Sequence, residues 1–512
     1  MKKKYVRWTL WTIASPFILF VILCILIYLP PIQNFLVDKA AVYASEATGM
    51  NISVGRISLS FPLNLVVTDV DAASPHNDTL LSVRRLQVNV QLLPLLKKQV
   101  EVDGISLQGA TVNSNDLIHG MKLNGTLGEL FISSHGVALD PETAIVNKVL
   151  LKDTDLSLCL NDTAAVDTAA SDTTYWKIIL QDIDLQNVSF ALDMPLDSLS
   201  LAASLDNAIL RDGLIDLHKS AYSLQTFRIK NGRVRYDSGK PLAADSLPSG
   251  LDPSHIALTD IGVKLDSLYY EGRNMKAIIS QFVLKERSGV EIVSATGRMV
   301  SNDKVLRVPS LKLETRDSYL ELNAAMDWNA LDFKGEGLVS ARLMADIGKP
   351  DVVRFMGRMD EKFVRQYPSE PLRIRTGIDG DLNKLKLTTL TAELPGALGL
   401  FARGELTHLT DSLLRGGDIT LEAETKDLKF VSTLAEGIEI PYGTRLEGKF
   451  TMAGAKMGTD LLLMQPEAQA VAAADTIPIT VYNDSISVAD DFKMERAARL
   501  FAKYDLSRDR YE

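Results

Sequence analysis

The side chains that could do chemistry are few and scattered. Acidic pairs stand at Asp153/Asp155 and Asp182/Asp184. In a strand this i,i+2 spacing places both carboxylates on one face, as acid–base or calcium chemistry would need. Both pairs, however, sit at the polar positions of an alternating pattern, where solvated aspartate is the ordinary occupant. The six histidines (His76, His119, His135, His218, His255 and His408) have no i,i+4 partner and no HExxH frame. Cys24 and Cys159 form no CxxC motif and stand too far apart in sequence and setting for a disulfide to be expected. GxSxG, P-loop and post-strand GxGxxG motifs are missing. The chain is therefore expected to be no enzyme, with no catalytic residue, no metal site and no cofactor.

Composition narrows the classes further. Of 512 residues, 46% are hydrophobic and 23% charged, enough apolar material for most of the chain to fold. A formal charge of −10, with no Lys/Arg cluster beyond the amino terminus, argues against a nucleic-acid partner.

What the chain does carry is a membrane signature followed by strands. Residues 1–7 hold Lys2, Lys3, Lys4 and Arg7, and an uncharged run follows from Trp8 to Leu29. A hydrocarbon core of about 30 Å needs about 20 helical residues, so 8–29 is expected to span a bilayer with residues 1–7 as a cytoplasmic tail. Trp8, Trp11 and Tyr28 are the expected interfacial anchors. A cleaved signal peptide, with a site near Ala44, is the alternative, but the apolar run is too long for it. Pro30-Pro31 ends the span, and residues 32–48 space apolar side chains by three and four, as an amphipathic helix does. That helix would lie on the outer leaflet or plug the end of a sheet.

From Met50 the chain reads as strands. Leu80-Leu81-Ser82-Val83-Arg84-Arg85-Leu86-Gln87-Val88-Asn89-Val90 alternates with the period of a half-buried strand. Four segments repeat a strand interrupted at its centre: Ile105 to Val112, Val149 to Leu158, Ile183 to Phe190 and Phe227 to Tyr236. Their starts recur at intervals of about 34 to 44 residues, a period typical of stacked units. Gly109, Asp153, Asn187 and Asn231 stand where each strand is expected to bend. Matching bends would curve a sheet towards its apolar face, and Ile105, Leu107, Leu185, Phe190, Ile229 and Val234 are the candidate groove-lining residues, on a face that would either line an open trough or pack against another layer. Residues 161–174 and 237–254 read as exposed loops. In the second half, Val352, Phe355, Met356, Met359 and Phe363 share one helical face, so residues 351–367 are expected as a helical insertion packing on the sheet or capping it.

Three stretches in this order carry a resemblance: Phe61-Pro62-Leu63-Asn64-Leu65-Val66-Val67-Thr68-Asp69-Val70, Leu86 to Leu96 (ending Pro94-Leu95-Leu96), and Ile105-Ser106-Leu107-Gln108-Gly109-Ala110-Thr111-Val112. Behind one membrane helix, they resemble the amino-terminal module of the AsmA-like family, in particular its TamB-type (translocation and assembly module) members. The resemblance implies a mainly β fold: a transmembrane helix and short amphipathic helix, then an elongated, curved, largely antiparallel sheet forming a groove. It places the chain in the bacterial inner membrane, single-pass, with the bulk in the periplasm. The implied role is outer-membrane biogenesis, either by moving phospholipid, whose acyl chains the groove would hold, or by recruiting clients through β-augmentation. Residues 50–240 would form the repeated amino-terminal module, 255–460 its continuation with the insertion at 351–367, and 461–512 a continuing or truncated β segment. TamB-type members are longer, with a carboxyl-terminal domain that meets an outer-membrane β-barrel partner, and nothing here matches that domain.

Overall fold

Alternation of apolar and polar residues dominates the chain from Asn51 onward, and strands with one apolar face are what form. The computed structural model describes most of residues 50–465, with breaks at 61–63, 75–78, 91–101, 115–119, 139–141, 162–175, 240–249, 333–336, 358, 435–441 and 455. Outside that range it describes Lys39, Ala41, Val42 and Ser45, and residues 486–487, 493–494, 496–505 and 510–511. The expected span 8–29, with Trp8, Trp11 and Tyr28, lies outside the described residues. Among those described, no helix is long and apolar enough to cross a membrane. Of the expected helix over 32–48, Lys39, Ala41, Val42 and Ser45 are helical and the rest lies outside the description.

The fold is mainly β and mostly antiparallel, and the chain divides into two compact units. Unit 1 comprises residues 1–242 and 254–261, and unit 2 comprises 243–253 and 262–512.

Unit 1 contains β1 (Asn51–Ser60), β2 (Asn64–Ala73), β3 (Thr79–Val90), β4 (Val102–Asn113), β5 (Met121–Ala138) and β6 (Thr143–Leu160) as an antiparallel meander. Next come β7 (Lys177–Met194), β8 (Leu199–Asp216), β9 (Ala221–Leu224) and β10 (Thr226–Ser238). β7 pairs with β6 in parallel; β8 then runs antiparallel to both β7 and β10. The division between units falls within β11 (His255–Glu271).

Unit 2 is an antiparallel meander of β12 (Asn274–Glu286), β13 (Glu291–Ser301), β14 (Val305–Thr315), β15 (Tyr319–Asp327), β16 (Leu338–Ile347), β17 (Leu372–Asp381), β18 (Lys384–Leu394), β19 (Leu398–Thr407), β20 (Gly416–Thr425), β21 (Arg445–Ala453) and β22 (Lys456–Gln465). The pair β23 (Ile486–Ser487) and β24 (Lys493–Met494) stands apart, while β25 (Arg496–Asp505) adds to β22 and β26 (Arg510–Tyr511) turns back on β25.

The insertion expected as one helix over 351–367 is two short ones. A turn of helix, α1 (Trp328–Leu331), precedes them; the pair itself is α2 (Lys349–Met356) and α3 (Glu361–Gln366). Gly357 ends α2 with φ 75°, a conformation closed to most side chains. Asp360 starts a new helix by accepting the Lys362 N–H at 2.7 Å. The break rotates the expected stripe apart: Phe363 is 1% exposed while Phe355 is 56% exposed. Phe363 and Tyr367 pack on Phe430, Leu394 and Ala397, at the hairpin end of β18 and β19. At the opposite end of the strands, Ala330, Val339 and Leu382 form a second cluster.

Candidate functional site

The six candidate residues fall on three rows of the unit 1 sheet. Leu107, Leu130, Leu151, Leu185, Ala208 and Ile229 are successive cross-strand partners, which brings together Leu107, Leu185 and Ile229. Ile105 begins the next row, continuing through Ile132, Val149, Ile183, Leu210 and Phe227. Phe190 and Val234 flank Ala203 in a third row that also holds Leu156. Cross-strand partners point to one side of a sheet, so each row is a continuous apolar strip.

A crease separates the third row from the first two. At one position in every strand from β1 to β10, short β9 aside, the ladder skips a pair: Gly55/Asp69, Asp69/Arg84, Arg84/Gly109, Gly109/Gly128, Gly128/Asp153, Asp153/Asn187, Asn187/Asp206 and Asp206/Asn231. Asp69, Gly109, Asp153, Asn187 and Asn231 are left-handed there, with φ between 49° and 62°. Asp, Asn and Gly tolerate that conformation best. The four positions expected to relax the backbone are thus left-handed and interrupt the ladder.

The crease also explains the sequence spacing. Apolar residues recur every second position on either side of it, but three apart across it, as in Leu107/Ala110 and Leu185/Val188. Strict alternation would carry the apolar set to the opposite face; one extra residue at the same place in each strand returns it, and the register stays unshifted across it. Exposure agrees: on β4, Ala110 is buried while Thr111 and Asn113 are exposed.

Among the described strands, three left-handed non-glycine residues escaped the sequence reading: Asp69, Asp212 and Asp260. Their signal is a tetrad of apolar, any, Asp/Asn/Gly, then apolar or glycine. It stands at Val67-Thr68-Asp69-Val70, Leu210-Arg211-Asp212-Gly213 and Leu258-Thr259-Asp260-Ile261. Asp212 belongs to a second skipped row, Asn147/Gln181/Asp212, six residues along the strands from the first.

The apolar face is not packed like a core. Ile105, Leu107, Leu185, Ile229 and Val234 are half-buried and Phe190 is 38% exposed. Among the described residues the clusters of buried apolar side chains lie in unit 2, and the extensive contacts of each described unit 1 strand are with other strands. Where Ala203 stands between Phe190 and Val234, a cavity of about 370 Å³ opens, bordered also by Leu156, Ser189 and Arg233.

The acidic pairs are consumed by the polar ladder. Asp153 accepts the Asn187 amide at 2.9 Å and Asp155 the Ser189 hydroxyl at 2.5 Å. Asp184 accepts from Gln186 and Asn207, and Asp182 pairs with Arg211. No group of three or more metal-ligating side chains occurs among the described residues. The displaced tyrosines are likewise local: hydrogen bonds to Glu271 and Glu321 push the Tyr269 and Tyr319 hydroxyls up, and burial pushes up that of Tyr367. Among the described residues the arrangement is a half-exposed apolar surface bordered by hydrogen-bonded polar side chains.

No protein-family model matches this chain, and no curated protein matches it.

Proposed function

We propose that the chain is a periplasmic protein anchored in the inner membrane, whose curved apolar sheet face carries phospholipid acyl chains between membranes in outer-membrane biogenesis. The observation that carries this reading is the set of apolar rows in unit 1, continuous over many strands and left half-exposed by the described elements. A monomer with nothing to bind would bury such a surface. Each methylene taken from water onto it gains about 0.8 kcal/mol, and headgroups can stay in water at the margin of the face. Because successive strands repeat the same rows, a chain can move along them without a large barrier at any step.

Photocrosslinking from Leu185 and Phe190 in cells tests the proposal. Phospholipid adducts at both positions are the expected result. Peptide adducts in their place would overturn it and favour an assembly factor that recruits clients by β-augmentation.

A further inference from the structure

We infer that the α1 end of the unit 2 sheet is a bilayer-contacting rim, with Leu413 and Leu414 as its inserting side chains. Leu413 is 85% exposed and Leu414 64%, in the turn joining β19 to β20. Exposure of this size is usually a sign of floppiness, but this turn is tied down. The Asp411 carboxylate accepts the N–H groups of Leu413 at 2.8 Å and Leu414 at 3.1 Å, and Arg415 N–H donates to the Asp411 carbonyl at 2.8 Å. Gly454, in the next turn, donates to the Arg415 carbonyl at 2.7 Å, and Leu409 N–H donates to Leu382 at 2.8 Å in the previous one. The two leucines are held outward by backbone geometry.

They are not alone on that rim. Leu338, 64% exposed, starts β16, and Met457, 39% exposed and second in β22, closes the row just inside the rim. The register places Leu338 opposite Asp381, Lys384 opposite Thr407, Thr407 opposite Gly416 and Gly416 opposite Ala453, so these residues all lie at one end of the strands. The last apolar row of the sheet, from Met326 and Val339 through Leu385 and Leu406 to Met452 and Met457, runs directly beneath it.

The pattern favours a lipid surface over a protein. A stable protein interface needs about 800 Å² of contiguous surface per partner, and here the leucines are separated by polar turn residues such as Asp381, Asn383 and Asp411. Hydrocarbon needs no complementary shape and accepts each exposed leucine separately.

The test uses the full chain in bacterial cells, with a photoreactive amino acid at Leu413 or Leu414 and, as control, at Leu196, a 64% exposed leucine of unit 1. Phospholipid adducts from 413 and 414, at least about tenfold above 196, are the expected result. Protein adducts from 413, no adducts there, or equal lipid labelling from 196 would each overturn the inference. The double variant Leu413→Asn/Leu414→Asn, probed from Met457, should lower the lipid yield several-fold; an unchanged yield also overturns it. The inference does not rest on lipid carriage, which the probes at Leu185 and Phe190 report separately.

Discussion

The Asn187 side-chain amide donates to Asp153 Oδ1 across 2.9 Å, tying together the two left-handed residues that face each other in the parallel pair β6–β7. Among the described residues it is the one skipped pair of the crease in which both partners are left-handed, so two strained backbones meet there and side chains join them. Valine at 187 would remove the donor and force a β-branched residue into a conformation costing about 1–2 kcal/mol. Asn187→Val should lower the unfolding free energy by that amount or more, and the midpoint with it, whereas Asn187→Gly, free of the backbone penalty, should stay much nearer the parent. Equal midpoints for the two variants would show that the crease does not depend on left-handed geometry.

Gly128 faces Asp153 from the other side of the same crease. A Cβ at 128 would stand 2.8 Å from the Asp153 Cβ and 2.9 Å from its carbonyl oxygen. Gly128→Ala is therefore expected to cost about 1–3 kcal/mol in a denaturant titration, the range for overpacking. Gly399→Ala, where a Cβ meets nothing within 4 Å, is the matched control and should be near neutral.

The break between α2 and α3 makes an uneven pair of phenylalanines. Phe363 is 1% exposed, with ring centroids 5.5 Å from Tyr367 and 5.8 Å from Phe430. Phe363→Ala should destabilise unit 2 by about 3–5 kcal/mol. Phe355→Ala should cost under about 0.5 kcal/mol, as an exposed substitution does. Thermal unfolding of the two variants measures the contrast, which a single continuous amphipathic helix would erase.

Asp351 is fully buried at the start of α2 and accepts from Thr315 Oγ1, from Ser318 Oγ at 2.6 Å and from Arg354 Nη1 at 3.1 Å. Ser318 Oγ in turn accepts the Gly348 N–H at 3.0 Å, so the network fixes where the helix leaves β16. Asp351→Ala leaves two hydroxyls short of an acceptor and is expected to cost about 2–3 kcal/mol. Arg354 keeps Asp317 at 2.9 Å, which limits the loss. Asp351→Asn should fall between alanine and the parent; a cost equal to alanine's would mean that the charge, and not the shape that asparagine keeps, is what the site needs.

These cases also show what the residues disclose in advance. Alternation along Leu80 to Val90 is a local property, so the strands were legible, and so were the bends at Gly109, Asp153, Asn187 and Asn231, because those residue types tolerate left-handed geometry. That Leu107, Leu185 and Ile229 share one row depends on register between distant strands, which no single segment states. The stripe Val352 to Phe363 misled because a helical period was continued through Gly357, where the chain turns, and Asp360, where a new cap begins. Leu413 and Leu414 gave no signal, since their exposure follows from a turn built by Asp411.

That turn should respond to acid. The N–H groups of Leu413 and then Leu414, both aimed at the Asp411 carboxylate, hold its pKa below the usual carboxylate range. A carboxyl whose folded value is depressed stabilises the fold fully above its unfolded value and loses that contribution as pH falls through the folded one. Amide exchange at Leu413 and Leu414, corrected for the intrinsic pH dependence of exchange, should therefore stay constant at neutral and mildly acidic pH. It should accelerate only below the ordinary carboxylate range. Asp411→Ala should exchange fast at every pH and lose the transition, because the acceptor is gone. If the two leucines depend on this turn to face the bilayer, the same variant should also lose lipid adducts from a probe at 413 while keeping those from Phe190, a pairing that a general loss of folding cannot produce.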